Sequence, residues 1–455
     1  MTRRSAAFVA ATLGVAACGT GQRAGSAARG PAADGTLPQL FDAATVYREM
    51  GFLVTGAPLP FVATVRYVAG AVPDTTLGLF ALSLANHALS FHRDGDEFVG
   101  QYHVEVTLRP DDSLAAAVRL ARNETVRVRG FQETLRADES VIFQHFFALA
   151  PGEYSVSVLV RDRNGPNFAR RDGALSVPRF DGPRVSSLVP VYEGDGRQAR
   201  ESLPRLLLNP RATLPYGVDS LRFYVESYGA APGSRLVART IDQTGTVVRT
   251  DTVPLAGDSA LAAGRVTLSA AELPVGQGAL AAHLAGGRDT VEAPLLVSFS
   301  DQWVITNIDE VTSILRYFER QDWVRRLRDA PATERPAVWR EFWKETDPVP
   351  LTPENEALNE YFRRVQGANV RFRDEGRPGW LTERGEVYIT LGAPDDVLDL
   401  SHELSRGGSR IIRWGYTTLR LTLFFQDHTG FGRFRLTPIS RAEYHRVLAR
   451  VRRTT

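Results

Sequence analysis

Residues 61–68 read Phe61-Val62-Ala63-Thr64-Val65-Arg66-Tyr67-Val68, a stretch of β-branched and aromatic side chains with imperfect apolar–polar alternation. Such a stretch predicts a β-strand. Runs of the same kind follow, separated by turn residues such as Asp94-Gly95-Asp96. They occupy residues 77–84, 98–108, 124–131, 141–148 and 154–161. Several short strands at this spacing predict an antiparallel, immunoglobulin-like β-sandwich over residues 39–180.

A second β-rich stretch begins after the break at Phe180-Asp181-Gly182-Pro183. Asp242-Gln243-Thr244-Gly245 stands in the position of a hairpin turn between two of its strand candidates. The clearest candidates are residues 220–226, 235–242, 247–253 and 295–299. This pattern predicts a second, smaller sandwich over residues 184–300. The predicted fold class is therefore mainly β, with two tandem antiparallel sandwiches ahead of a mixed C-terminal domain.

The hydrophobic period changes at Asn307 and predicts an α+β domain over residues 302–455. Helices are expected at residues 307–329, at 334–345 and from Thr352 onward. Strands that form a small antiparallel sheet are expected at residues 386–391, 410–416, 419–426 and 431–437. Ser440 and Glu443 have the spacing of a capping box, which predicts a last helix that begins at Ser440.

The N-terminal residues have the pattern of an export signal. Arg3 and Arg4 precede an apolar run, and the small residues Val15-Ala16-Ala17 lead into Cys18. A charged start, a short apolar run and a small-residue cleavage site mark a secretory signal. Residues 1–17 are similar to a bacterial lipoprotein signal, which implies lipid on Cys18. The alternative is an ordinary signal peptide with a chance cysteine.

The single cysteine of the chain stands at the position where lipid would be attached. Residues 18–38 are rich in Gly, Ala, Ser, Thr and Pro and predict a flexible tether. The expected location is the cell envelope, with the protein held to a membrane through lipid on Cys18. Gly19 is not the aspartate that retains some lipoproteins at the inner membrane, which favours the periplasmic side of the outer membrane.

Several classes of function lack their sequence patterns. The net charge of +2 gives no reason to expect a nucleic-acid partner. His402-Glu403 lacks the second histidine of a zinc protease, so neither a metal nor another cofactor is expected. No catalytic residue is assigned. The pair Asp427-His428 is expected to be exposed in a hairpin loop.

The stretch Gly379-Trp380-Leu381-Thr382-Glu383-Arg384-Gly385 carries the most specific motif, and it continues through Gly392-Ala393-Pro394-Asp395. A structural interpretation makes Trp380 an apolar anchor, with Thr382 and Glu383 bonded to a turn at Gly385. A functional interpretation places four motif residues in a cleft that binds a ligand or partner: Trp380, Glu383, Asp395 and Asp396. Burial of Trp380 favours the structural interpretation.

This stretch closely resembles the signature of the GWxTD-domain family, a set of bacterial envelope proteins that are often lipoproteins with β-rich N-terminal regions. The match extends to Arg413-Trp414-Gly415-Tyr416 and to residues 423–427. Glu383 stands where the family usually has Asp, and Leu391-Gly392-Ala393-Pro394 replaces the more usual Tyr-Gly-Pro-Pro. Chemistry that needs the shorter carboxylate is in doubt here.

Two functions of different classes follow. The first is a non-enzymatic envelope lipoprotein whose C-terminal domain binds another envelope protein, with the sandwiches setting its reach. The second is a protein that binds or hydrolyses envelope glycans with the aromatics and acids of the same domain. Hydrolysis requires two carboxylates on opposite sides of a cleft, about 5–9.5 Å apart.

Overall fold

The structure is a computed structural model that describes residues 43–112, 116–134, 140–217, 220–299, 305, 307–350, 355–372, 377–400 and 410–454. It is mainly β, with 45% of residues in strands and 24% in helices. The predicted fold class is confirmed at this level. One strand pair is parallel, and every other pair among the described residues is antiparallel. The immunoglobulin-like topology and the domain boundaries stay predictions.

The first β-region, residues 43–180, contains the short helices α1 (Ala43–Glu49) and α2 (Phe131–Thr134). Its strands are β1 (Leu53–Val54), β2 (Phe61–Ala69), β3 (Thr76–Ala85), β4 (Phe91–Asp94), β5 (Glu97–Pro110), β6 (Val118–Val128), β7 (Ser140–Leu149), β8 (Gly152–Asp162) and β9 (Phe168–Val177). Sheet 1 has the order β1-β2-β3-β7. Sheet 2 has the order β4-β5-β8-β9, with β6 also paired to β5.

Sheets 1 and 2 enclose one hydrophobic core. Phe80 and Leu82 of sheet 1 belong to the same buried cluster as Val104 and Val158 of sheet 2. The solvent-facing side of sheet 2 is polar. Buried and exposed residues therefore alternate along its strands, as expected for a sheet with one solvent-exposed face. Five of the six strands predicted for this region are present at the predicted places. The strand predicted at residues 124–131 overlaps only the end of β6, because α2 begins at Phe131. Strand β9 was missed because its exposed positions carry charged residues.

Strand β3 is buried along all ten of its residues. One of its faces looks into the core between sheets 1 and 2. On the other face, Leu77 and Leu79 pack in a second cluster with Val189 and Leu206 of the following region. A strand covered on both faces has no place for regularly alternating polar residues. This explains why residues 77–84 form a nearly continuous apolar run.

The second β-region, residues 184–299, also has two sheets that share a core. Its strands are β10 (Arg184–Val185), β11 (Val189–Gly196), β12 (Arg205–Leu208), β13 (Thr213–Pro215), β14 (Ser220–Tyr228), β15 (Arg235–Asp242), β16 (Val247–Pro254), β17 (Ala256–Gly257), β18 (Ala262–Ser269), β19 (Gly276–Leu284) and β20 (Val291–Ser298). Sheet 3 has the order β12-β11-β14-β18-β17, with β10 on β14. Sheet 4 has the order β13-β20-β19-β15-β16.

A buried ion pair of the second β-region contacts the backbone of the first. The Arg197 guanidinium donates to both carboxylate oxygens of Glu226 at 2.8 Å, and neither side chain is more than 1% exposed. Arg197 Nη2 also donates to the carbonyl of Ala69 at 2.6 Å, across the junction. Tyr228 donates its hydroxyl to Glu226 and accepts from the Ala69 N–H. The bonds from Arg197 and Tyr228 to Ala69 connect the two β-regions across a buried junction.

The C-terminal region, residues 305–454, begins with helices. They are α3 (Ile308–Ile314), α4 (Gln321–Asp329), α5 (Arg335–Thr346) and α6 (Glu356–Arg371). The single helix predicted over residues 307–329 is therefore wrong: a 3-10 turn at Leu315–Tyr317 separates α3 from α4. Thr352 lies outside the described residues. Helix α6 instead takes Asn355 as its N-cap, whose side chain accepts from the Leu358 N–H at 2.9 Å.

The rest of the region consists of helix α7 (Glu383–Leu391), sheet 5 and helix α8 (Pro438–Thr454). Sheet 5 has the order β21 (Asp396–Asp399), β22 (Arg410–Tyr416), β23 (Leu421–Asp427) and β24 (Arg435–Leu436). The predicted strand at residues 386–391 is wrong, because that segment is α7. Ser440 is also not the cap of the last helix. Its N–H donates to the Thr437 hydroxyl, which has the capping position.

The core of the second β-region continues into the C-terminal helices and sheet 5. Phe299, just after β20, forms the link. Its ring lies 5.1 Å from Tyr216 and 4.8 Å from Trp339, both in edge-to-face geometry. Such aromatic pairs add about 0.5–1.5 kcal/mol beyond their buried area. The family motif is therefore held on a continuous packed base.

Candidate functional site

The motif residues form a sharp turn into a helix. Gly379–Leu381 is a 3-10 turn, and Thr382 is the N-cap of α7. The Thr382 hydroxyl accepts from the Gly385 N–H at 2.9 Å and donates to the Gly379 carbonyl at 2.7 Å. One short side chain thus satisfies a free donor of the helix and a free acceptor of the turn.

The two motif glycines allow backbones to touch. A Cβ atom on Gly385 would lie 2.0 Å from the carbonyl oxygen of Gly379, and one on Gly379 would lie 2.2 Å from the carbonyl oxygen of Ala368. No side chain fits at either distance. The turn can therefore fold against α6 only with glycine at both positions.

Trp380 is 4% exposed and belongs to the main core of the C-terminal region. The guanidinium carbon of Arg316 lies 5.0 Å from the centre of its ring. The indole N–H is buried and has no hydrogen-bond partner. This burial supports the structural interpretation of the motif, in which Trp380 anchors the turn.

Glu383, in the motif position usually held by Asp, connects α7 to the end of the chain. Its carboxylate accepts from the Leu436 N–H at 2.7 Å, from Arg435 at 3.1 Å and from Arg441 at 2.8 and 2.9 Å. Its side chain is 18% exposed. The longer glutamate side chain is what spans the gap to β24 and α8, so this carboxylate is engaged inside the fold.

The second half of the motif ends α7 and begins sheet 5. Gly392 has a φ of +86°, a conformation that favours glycine after a helix. Its carbonyl accepts from the Tyr416 hydroxyl at 3.1 Å. After the half-buried Pro394, the Asp395 carboxylate accepts from the Thr417 N–H at 2.6 Å. The sequence predicted that a strand ends at these residues, whereas in the structure helix α7 ends there.

The neighbouring acids are also paired. Asp396 accepts from Arg413 at 2.7 Å. Glu386 accepts from the Tyr444 hydroxyl at 3.1 Å. Burial, together with the charge of Glu386, raises the pKa of Tyr444 above its ordinary value, so this phenol stays protonated and keeps donating. The acids that follow Trp380 therefore contribute to structure through named partners.

Asp427 is buried, whereas the sequence predicted an exposed position. It is 0% exposed, and its carboxylate accepts from the N–H groups of Thr429, Gly430 and Gly432 and from the Thr429 hydroxyl. Burial alone would raise the pKa of Asp427, but these hydrogen bonds outweigh it and lower the pKa. The exposed loop position predicted for this residue is wrong. His428 is exposed, as predicted.

A group of three arginines lies around Tyr317, and one of them, Arg316, also lies over the Trp380 ring. Arg316, Arg377 and Arg452 each donate to a nearby oxygen, at Ser313, Leu381 and Tyr317 respectively. Sequence reasoning missed this group, because the three arginines are far apart along the chain and no motif connects them. Only the structure shows that they share one surface.

Cys18 and His402 lie outside the described residues, so lipidation at Cys18 stays a prediction. In the part of the chain that the structure covers, no three histidine, cysteine, aspartate or glutamate side chains are grouped as a metal ion would need. Among the helices of that same part, none has the length and apolar character required to cross a membrane.

Comparison with known proteins identifies the region that contains this site. Curated proteins give no match to the chain. The GWxTD domain family matches residues 288–407, a stretch that begins just before β20 and includes the turn at Gly379, helix α7 and strand β21. Trp380, Thr382 and Glu383 all lie within it. The chain therefore contains a GWxTD domain, the one that its motif resembles.

Proposed function

We propose that this chain is an exported lipoprotein, anchored through Cys18, whose GWxTD domain binds another protein of the cell envelope without catalysing a reaction. The export pattern of residues 1–18 and the single cysteine support the anchored location. The outer membrane is the proposed site, because Gly19 follows the cysteine.

The state of the motif acids argues against the hydrolytic alternative. Glu383 is bound by two arginines and a backbone N–H, Asp395 by a backbone N–H, and Asp396 by an arginine. Glycoside hydrolysis needs one carboxylic acid to give a proton and a second carboxylate across a cleft. Carboxylates that are already bonded within the fold suit a structural role better than an acid–base role.

The observation that carries the binding role is an exposed edge strand of the GWxTD domain. Strand β21 is at the edge of sheet 5, and all four of its residues are exposed. Val397 and Leu398 are 55% and 44% exposed. An edge strand presents backbone N–H and C=O groups that an extended segment of another protein can pair with. Its apolar side chains add contact area for such a segment.

The junction between the two β-regions supports a spacer role for them. Arg197, Glu226 and Tyr228 form a buried network with the backbone of Ala69. In this proposal the buried connection, together with the core that the second β-region shares with the C-terminal helices, holds the GWxTD domain at a set distance from the first β-region. A platform that presents one binding domain benefits from this fixed geometry, because less motion is lost when the partner binds.

The test is crosslinking of the native chain in intact cells. Trp380→Ala is unsuitable as the main variant, because removing a buried tryptophan costs about 3–5 kcal/mol and threatens the fold. We therefore choose Val397→Thr with Leu398→Thr on β21. The matched control is Val247→Thr with Val248→Thr, on edge strand β16, where the exposed fractions are 49% and 37%.

We expect crosslinking to recover one or two partner proteins at constant stoichiometry. These partners should be depleted in the β21 variant and retained in the β16 control. Unfolding curves of both variants must match that of the native chain. A diffuse background that is the same for all three proteins would refute the proposal. Assays of glycan binding and hydrolysis with envelope sugars would then come first.

A further inference from the structure

Three arginines lie around Tyr317. Arg316 stacks on the Trp380 ring, with its guanidinium carbon 5.0 Å from the ring centre. Arg452 donates to the Tyr317 carbonyl at 3.3 Å. Arg377 donates to the Leu381 carbonyl at 2.9 Å, and its charge acts on the Tyr317 hydroxyl together with that of Arg316. These side chains come from a 3-10 turn, from the residues before the motif, and from the last helix.

None of the three guanidinium groups is paired with a carboxylate among the described residues. Arg435 and Arg441, which lie on the same domain, show the opposite case, because both bind Glu383. Each guanidinium has five N–H donors, and the neutral oxygens that these three contact use only one or two of them. Most donors of the group are therefore directed to solvent or to a ligand.

The group is also held in position before any ligand arrives. Arg316 donates to both the carbonyl and the hydroxyl of Ser313, at 3.0 and 3.1 Å, while the Trp380 ring supports its plane. An arginine fixed in this way loses little side-chain freedom when it binds an anion.

Arginines outnumber the acids around Tyr317. Glu386 is the one acid among the groups whose charge acts on the Tyr317 hydroxyl, and its carboxylate already accepts from Tyr444. Because the three arginines are anchored on separate elements, they suit several spaced anionic groups better than one compact anion.

We infer that Arg316, Arg377 and Arg452 form a carboxylate-binding site for an aspartate- and glutamate-rich segment of the partner protein. This inference rests on the proposed function and names the chemistry of the partner. Planar guanidinium groups match carboxylates in a two-bond geometry, and such bonds are about twice as strong as neutral ones. The motif tryptophan then has a second role, as the support of a binding arginine.

The experiment measures the binding of a fluorescent oligoglutamate peptide to the full chain in detergent, by anisotropy at near-physiological salt. An oligoglutamine peptide reports binding that does not depend on charge. The site variant is Arg316→Gln/Arg377→Gln/Arg452→Gln. The control variant Arg325→Gln/Arg340→Gln/Arg433→Gln removes the same charge from exposed arginines elsewhere on the domain.

We expect the Kd for oligoglutamate to rise about tenfold or more in the site variant, which corresponds to the loss of one or two charge-assisted bonds. The control should change it by about twofold at most, through the weaker general field. Equal weakening in both variants, or no binding to the native chain, would overturn the inference. Binding of phosphatidylglycerol vesicles through the same arginines, without peptide binding, would assign the site to a lipid surface and overturn it as well.

The proposed function and the proposed carboxylate-binding site can be refuted independently of each other. If crosslinking in cells still recovers a partner from the site variant at the native level, the proposed function stands and this site is wrong. If the peptide binds as expected while no partner is recovered from native cells, the site exists but the partner role in the envelope is wrong.

Discussion

Gly385 lies against the backbone of its own motif, with 2.0 Å between an added Cβ and the Gly379 carbonyl oxygen. We expect Gly385→Ala to lower the free energy of unfolding by about 1–3 kcal/mol, because the turn must move away from α7 to make room. Gly56→Ala is the control, since an added Cβ there meets nothing within 4 Å. Urea denaturation of both variants measures the difference, and equal stability would contradict this account of the motif.

Asp427 makes the pH dependence of stability testable at one residue. Its pKa is lower in the folded chain than in the unfolded chain, where it is about 3.9. It therefore stabilises the fold above that value, and this contribution disappears as pH falls through the folded pKa.

We expect Asp427→Asn to be less stable than the native chain near neutral pH by about 1–3 kcal/mol, because the donors of Gly432 and Thr429 lose a charged acceptor. The difference should shrink in acid, where the native aspartate is protonated too. Urea denaturation over a pH series tests this. A gap that stays constant down to low pH would show that the charge is not the cause.

Residue types alone indicated part of the candidate site. Gly379, Trp380 and Thr382 were singled out from the motif, and the bond between Thr382 and Gly385 was anticipated from the habits of short polar side chains in turns. The partners of Glu383 were not anticipated. A bond across more than fifty residues depends on tertiary packing, which no local pattern contains.

At the scale of elements, Glu383 holds three of them together: α7, β24 and α8. We expect Glu383→Gln to lower the free energy of unfolding by about 1–3 kcal/mol, because the charge that binds Arg435 and Arg441 is lost. Glu383→Asp should also destabilise, since the side chain becomes one methylene shorter. Glu443→Gln is the control: its pair with Arg446 lies along one helix and contributes about 0.5 kcal/mol or less.

Thermal or urea unfolding of these variants measures the differences in their free energies of unfolding. If Glu383→Asp is as stable as the native chain, the shorter side chain reaches the same partners and the argument from length is wrong. If Glu443→Gln lowers the free energy of unfolding as much as Glu383→Gln does, the bonds of Glu383 between elements stabilise the fold no more than a pair within one helix.

The strands of both β-regions were largely predictable, because turn residues separate runs of β-branched side chains. Helix α7 was not. Its sequence contains four residues that favour strands: Val387, Tyr388, Ile389 and Thr390. Local preference therefore predicted a strand where the structure has a helix. The cap at Thr382 and burial against α6 and α8 override that preference. The predicted strand over residues 431–437 shortens to Arg435–Leu436, because the loop around buried Asp427 takes up the residues before it.

At the scale of the whole molecule, the Arg197–Glu226 pair joins the β-regions. We expect Arg197→Met to destabilise the chain by about 3–5 kcal/mol, because Glu226 is left buried without its counter-charge. Arg197→Met/Glu226→Leu should recover most of this loss. Arg265→Met, which breaks the exposed pair with Asp195, should change stability by about 1 kcal/mol or less.

Chemical denaturation compares the three variants. A double variant as unstable as Arg197→Met would show that the pair itself, rather than the uncompensated charge, holds the junction. Limited proteolysis between residues 178 and 188 supplies a second readout, since a loosened junction becomes cleavable while each region keeps its own core.

Strand β3 has a consequence for how the chain reaches its final state. Residues 76–85 are made early, yet one face of the strand is covered only when Val189 and Leu206 of the following region are in place. The first β-region therefore cannot finish folding as its residues emerge one after another. During that interval an apolar strand surface is open to other chains, and unpaired apolar strands promote aggregation. A chain that stops before residue 189 should need a chaperone to stay in solution.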